Sequence, residues 1–64
     1  MEVIVRNLNG MFRERMKLGL TLKDVATAAR VSERAIRKYE EGTCYPTKPI
    51  YNRLANVFMW EVWP

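Results

Sequence analysis

The chain has 64 residues, of which 48% are hydrophobic, and its formal net charge is +4. A chain of this length forms one domain around one small core, and a single cysteine excludes an internal disulfide. Since histidine is absent, the commonest metal ligand and general base is missing, so we expect no enzyme, no metal and no cofactor. The positive charge favours an anionic partner.

Membrane and secretion signals are not evident in the sequence. No stretch approaches the ~20 apolar residues that cross a bilayer. Residues 1–6 lack the basic start and the longer apolar segment of a secretion signal. We therefore expect a cytoplasmic protein without a membrane partner.

Two segments at the chain ends have the pattern of short strands. Residues 3–5 are β-branched and precede turn-forming residues, and the tail alternates large apolar residues about Glu61. We expect strands over residues 2–6 and 58–63 that pair with each other.

Helical periodicity fills the space between these ends. A first helix is predicted from about Leu8 to Leu18, ending at Gly19. A second begins after Thr21, whose spacing to Asp24 is that of a capping box, and small residues on it would let another helix approach closely.

Two further helices follow along the chain. Ser32 is expected to cap a third helix from Glu33 to about Glu40, which has one apolar and one basic face and is stopped by Gly42. Thr47 is expected to cap a fourth helix with a proline in its first turn. The second and third helices, joined by a tight turn, make a helix-turn-helix over about residues 21–40, an arrangement that lets a basic helix enter the major groove of DNA.

The residues of this region carry a specific resemblance. The matching segments are RMKLGLT (15–21), DVA (24–26), VS (31–32), IRKYE (36–40), the loop over 42–47 and the Leu54-Ala55 step. Over about residues 8–58, the chain therefore resembles the Cro/phage-repressor (XRE-type) family. The resemblance implies a mainly α fold, a compact bundle of four to five short helices, in one domain over residues 1–64.

The resemblance also implies a set of DNA-contacting residues. Four positions correspond to those that meet base edges: Ser32, Glu33, Arg34 and Lys38. Six more are candidates for phosphate contacts: Thr21, Lys23, Arg37, Thr43, Tyr45 and Lys48. The family pattern pairs Arg15 with Glu40 as a partly buried structural ion pair, so we expect these two charges to support the fold and not to bind DNA.

Three features depart from the family pattern. Leu22 stands where the family usually has a glutamine that contacts phosphate. Arg30 stands where a glycine usually accommodates a left-handed turn, so we expect a slightly redrawn turn. The chain stops where relatives often continue into a dimerisation helix, and the tail residues Trp60, Val62 and Trp63 are our candidates either for dimerisation or for covering the small core.

These features predict a sequence-specific regulator that binds double-stranded DNA. We expect a repressor of phage or mobile-element type, acting as a homodimer on a palindromic operator. The alternative is a module that keeps this fold but binds a protein, such as an antirepressor or an antitoxin. Leu22 and the aromatic tail motivate that alternative.

Overall fold

Four short helices form the fold in the computed structural model, which describes Leu8 and residues 10–64. They are α1 (Met11–Lys17), α2 (Leu22–Ala29), α3 (Glu33–Glu41) and α4 (Lys48–Phe58). The predicted mainly α bundle of short helices is confirmed. The predicted strand over residues 2–6 lies outside the described residues.

The starts of the helices differ in their capping. At α2, Thr21 Oγ1 accepts from the N–H of Asp24 at 3.0 Å and Asp24 Oδ2 accepts from the N–H of Thr21 at 2.9 Å, so the predicted capping box is confirmed. At α3, Ser32 Oγ accepts from the N–H of Ala35 at 3.1 Å. Thr47 is the N-cap of α4, but its side chain makes no capping hydrogen bond. The predicted start of α4 after Thr47 is therefore confirmed, without the side-chain hydrogen bond that caps α2 and α3.

The capping box makes the stability of the fold depend on pH. The backbone N–H of Thr21, and then its side chain, hold the pKa of Asp24 below its ordinary value of 3.8. A carboxyl whose pKa is lowered on folding stabilises the fold above its unfolded pKa, and that contribution is lost as the pH falls from 3.8 through the lowered value. We therefore expect the stability advantage of the wild type over Asp24→Asn to shrink as the pH falls through this range. Urea unfolding at a series of pH values measures it; an advantage that is constant with pH would contradict the assignment.

All four described helices end in the same way. A residue with left-handed backbone follows directly after α2, α3 and α4 (Arg30, Gly42 and Met59) and two residues after α1 (Gly19). The next N–H then bonds back across the end of the helix, in the pairs Leu20 to Arg15, Val31 to Ala26, Thr43 to Lys38 and Trp60 to Ala55, at 2.9–3.1 Å. Glycine adopts this backbone freely, whereas a residue with a side chain is strained by roughly 1–2 kcal/mol. The turn after α2 is therefore not redrawn, and Arg30 takes the conformation that glycine usually supplies.

The core forms where α2 packs against both α3 and α4. Val25, Ala26 and Ala29 give α2 a buried face of small residues, which permits the close approach expected of it. Ile36 of α3 and Leu54 of α4 are fully buried in the same cluster. The core thus fixes the orientation of α3 through α2.

The tail does not form the predicted strand. Phe58 still belongs to α4, and no strand occurs from Met59 to Pro64, so our expectation for residues 58–63 is wrong. Trp60 folds back instead, and its ring stacks on Phe58 with centroids 5.0 Å apart and on Tyr51 at 6.0 Å.

Side chains supply the hydrogen bonds that a strand partner would otherwise provide. Asn52 Oδ1 accepts from the backbone N–H of Trp63 at 2.7 Å, and Asn52 Nδ2 donates to the carbonyl of Trp63 at 3.1 Å. The hydroxyl of Tyr51 donates to the carbonyl of Glu61 at 3.2 Å. The indole N–H of Trp60 donates to Glu14 Oε2 at 2.6 Å, which ties the tail to α1. None of the helices described here is long and apolar enough to cross a membrane.

Candidate nucleic-acid interface

The outer face of α3 is polar and exposed, while its inner face is buried. Ile36 and Tyr39 point into the core and are at most 7% exposed. Burial raises the pKa of the Tyr39 phenol, and the nearby Cys44 raises it further. The four candidates for base contacts, Ser32, Glu33, Arg34 and Lys38, are all exposed. The structure therefore places all four on the solvent side of one helix.

Two cations of this face have no competing partner among the residues that the structure describes. Arg34 and Lys38 are four residues apart, which places them one above the other on a helix. Neither forms a hydrogen bond or an ion pair through its side chain with any residue that the structure describes. Ser32 Oγ already accepts from Ala35, so its hydroxyl is left mainly as a donor. The first two turns of α3 thus offer three donors and, at Glu33, one acceptor group.

The start of α2 lies beside this face. Thr21, Lys23 and Glu33 line one open depression of about 520 Å³, together with Leu22. The capping box uses the N–H groups of Thr21 and Asp24. The N–H groups of the first two helical residues, Leu22 and Lys23, have no partner within the helix and can donate to an anion. Two of the six phosphate candidates therefore lie next to the base-contact candidates.

A family model decides what this arrangement is. A model described as a helix-turn-helix domain matches residues 11–59. The chain belongs to the helix-turn-helix domain family. The match runs from the start of α1 to the end of α4 and confirms the resemblance seen in the sequence, with DNA binding as the general function. No curated protein and no solved structure matches the chain.

The remaining phosphate candidates of the helix-turn-helix domain are more dispersed. Arg37 is exposed on α3 and lines a second depression with Phe12 and Leu22. The hydroxyl of Thr43 donates to the carbonyl of Lys38 at 3.2 Å, which fixes this residue at the end of α3. Tyr45 is exposed in the loop to α4 and Lys48, the first residue of α4, is half-buried. These last two form no side-chain hydrogen bond or ion pair with the other candidates in the described part of the chain.

The ion pair of the helix-turn-helix domain links α1 to α3 beneath this surface. Arg15 Nε lies 2.8 Å from Glu40 Oε2, and Arg15 Nη2 donates to Glu40 Oε1 at 3.3 Å. The third donor, Nη1, reaches the carbonyl of Leu20 at 3.1 Å. The two side chains are only 12% and 10% exposed. The pair is therefore partly buried, as predicted, and links α1 to the helix that carries the candidate base contacts.

Sequence reasoning missed one residue that positions the turn. Arg53 of α4 donates through Nη1 to the carbonyl of Ala29 at 3.2 Å, at the last residue of α2. The bond attaches the turn of the helix-turn-helix to α4. No sequence pattern predicts this hydrogen bond, because Arg53 lies in α4 as an ordinary polar residue between core positions.

The three tail candidates separate into two kinds. Trp60 is engaged within the chain, with Phe58, Tyr51 and Glu14. Val62 and Trp63 are 50% and 44% exposed, and the backbone of Trp63 is held by Asn52. The tail of the helix-turn-helix domain thus covers part of the core with one side chain and presents two apolar side chains at the surface.

Proposed function

We propose that this helix-turn-helix domain is a sequence-specific transcriptional regulator that reads double-stranded DNA with α3. The observation that carries the proposal is a pair of exposed cations, Arg34 and Lys38, which have no partner in the described part of the chain and lie on a helix whose opposite face is buried. An α-helix fits the major groove, which is roughly 12 Å wide. There the guanidinium of Arg34 can span O6 and N7 of a guanine, and Glu33 can accept from a cytosine amine.

Phosphate contacts would set the register of this helix. Lys23 and the free N–H groups at the start of α2 lie beside α3, and Arg37 lies on α3 itself. Such contacts orient a protein on the duplex without reading its sequence. Thr21, Thr43, Tyr45 and Lys48 complete the proposed set.

The domain would act as a homodimer that represses by occupying a palindromic operator, in the manner of a phage or mobile-element repressor. A single recognition helix makes few base contacts, and two helices related by a twofold axis read half-sites about 34 Å apart. The exposed pair Val62 and Trp63 is the proposed contact between protomers. Trp60 holds the tail that carries this contact against α4.

Selection of bound sites from random duplexes tests the proposal directly. We expect an enriched sequence with twofold symmetry and half-sites one helical turn apart. Binding to a mixed-sequence duplex serves as the control, because it measures the electrostatic component that every basic domain has. If no sequence is enriched and all affinity follows salt alone, the domain is not a specific regulator.

A protein partner is the second candidate function, and exposed apolar side chains favour it. Phe12 and Met16 of α1 are 49% and 61% exposed, and Leu22 lines the depressions beside both of them. An antirepressor or an antitoxin would use such a surface. Arg34→Ala combined with Lys38→Ala abolishes DNA binding in the first case, whereas in the second case it spares the partner and Met16→Ala, on the exposed surface of α1, releases it. Pull-downs with both variants distinguish the two functions.

A further inference from the structure

Arg30 is an exposed arginine held in a backbone conformation that favours glycine. Its φ and ψ are 60° and 43°. At the ends of α1 and α3 the same chain uses Gly19 and Gly42, where this backbone causes no strain. Strain that a protein retains is often found at functional positions.

The left-handed conformation of Arg30 is firmly held. Its N–H donates to the carbonyl of Thr27 at 3.3 Å, and the N–H of Val31 donates to that of Ala26 at 3.0 Å. On the other side, Arg53 binds the carbonyl of Ala29. The guanidinium of Arg30, in contrast, is exposed and has no hydrogen bond or ion pair with the described part of the chain. The backbone of Arg30 is therefore held by hydrogen bonds, while its guanidinium has no partner in the described part of the chain.

Arg30 could instead act only within the fold, by placing its positive charge at the C-terminal, negative end of the α2 dipole. A cation near the C-terminus of a helix is stabilised by the carbonyl dipoles. That effect acts within the protein and does not depend on DNA. It makes a measurable alternative, because it predicts that loss of the charge lowers stability and leaves the affinity of the folded domain unchanged.

Arg30 lies next to the part of α3 that is proposed to contact DNA. It lies two residues before Ser32, the N-cap of α3, and in the proposed function the first turn of α3 enters the major groove. The sugar-phosphate backbones border that groove on both sides. Leu22, at the opposite end of α2, offers a phosphate only its backbone N–H and an apolar side chain.

From this placement we infer that Arg30 binds a DNA backbone phosphate at the edge of the groove, and so supplies at the end of α2 a charged contact that Leu22 does not supply at its start. The inference rests on the proposed function. The contact is with phosphate and not with a base, so it strengthens binding to every sequence that α3 occupies and fixes the depth at which the first turn of α3 sits. The guanidinium suits it, because its forked donors match two phosphate oxygens.

The test compares Arg30→Gly with Met59→Gly. Both remove a side chain from the same left-handed position at a helix end, but Met59 is 91% exposed at the end of α4 and carries no charge. Binding is measured from low to high salt with two labelled duplexes, the one most enriched by selection and one of mixed sequence. Arg13→Gln, on exposed α1 surface, controls for the loss of one positive charge.

We expect Arg30→Gly to weaken binding to the enriched duplex by about five- to tenfold near 0.1 M salt and to reduce the slope of log affinity against log salt by about 0.9. Arg30→Lys should retain that slope, and Met59→Gly and Arg13→Gln should keep wild-type affinity and slope. Thermal unfolding of Arg30→Gly should show no loss of stability. If Arg30→Gly binds like the wild type, the inference is wrong while the proposed function stands. If the wild type itself binds neither duplex, the proposed function fails and the inference fails with it.

Discussion

Replacement of Arg34 by alanine is expected to weaken binding to the enriched duplex by about 1–3 kcal/mol, which is roughly 5- to 150-fold. The physical reason is that, in the proposed contact, the forked guanidinium makes two hydrogen bonds to one guanine, and alanine makes none. Selection repeated with the variant should show relaxed preference at one base pair in each half-site. Because Arg34 is exposed and has no partner in the described part of the chain, its removal should leave the free energy of unfolding within about 0.5 kcal/mol of wild type.

Arg37 offers a matched control for this prediction. It is another exposed arginine, three residues along the same helix, and is proposed to contact phosphate. Arg37→Ala should weaken binding to enriched and mixed-sequence duplexes alike and reduce the salt slope by about 0.9, with no change in base preference. If Arg34→Ala also lowers both affinities equally and leaves base preference intact, then Arg34 does not read a base and the assignment of the recognition face must be revised.

Local rules explain why most helix boundaries were predictable. Thr21 with Asp24, and Ser32, are side-chain caps that act over three residues, and Gly19 and Gly42 end their helices through backbone freedom alone. Information of this range is present in any short window of sequence. The exposed positions of the base-contact candidates follow in turn from the period of α3, because burial of Ile36 and Tyr39 leaves the other face in solvent.

The tail was not predictable in the same way. Alternation of large apolar residues is the local signal for a strand, but here α4 and α1 supply partners for the tail that an alternating pattern does not encode. Asn52 binds both backbone groups of Trp63, and Trp60 finds its aromatic neighbours and Glu14 across distances of up to 46 residues. Tertiary contacts of this kind override a local preference of the order of 1 kcal/mol.

The conformation of Arg30 was also predicted wrongly. Its low preference for left-handed backbone predicted a redrawn turn, yet the turn keeps the left-handed conformation where α2 packs on α3 and α4 and Arg53 binds the carbonyl of Ala29. The fold sets the left-handed conformation at this position, and the residue type there decides only how strained that conformation is.

The largest effect on stability is expected for the ion pair between α1 and α3. Glu40→Ala removes the two carboxylate acceptors of Arg15 and leaves a guanidinium that is 12% exposed with only the carbonyl of Leu20 as acceptor. Stranding a buried charge costs on the order of 3–5 kcal/mol. Domains are stable by roughly 0.05–0.15 kcal/mol per residue, which for this chain amounts to only about 3–10 kcal/mol. Urea unfolding of Glu40→Ala should therefore show a domain near its limit of stability.

A double-mutant cycle separates the pair from its surroundings. Arg15→Ala alone strands the carboxylate and also frees the carbonyl of Leu20, so it should cost at least as much as Glu40→Ala. The double variant has no unpaired charge, so its loss should be clearly smaller than the sum of the two single losses. Arg13→Ala removes an exposed arginine from the same helix and should change the free energy of unfolding by no more than about 0.5 kcal/mol. Additive losses would show that the two charges act independently.

The same variants separate support of the fold from contact with DNA. Glu40→Ala removes a negative charge, so electrostatics alone would strengthen binding to a polyanion. The expected result is the reverse: apparent affinity falls with the fraction of folded protein, while the salt slope and base preference of the folded fraction stay at wild-type values. A stabilising osmolyte, which favours the compact state, should restore binding to Glu40→Ala and should not restore it to Arg34→Ala. Recovery of both variants, or of neither, would contradict the division between the ion pair beneath α3 and the recognition surface upon it.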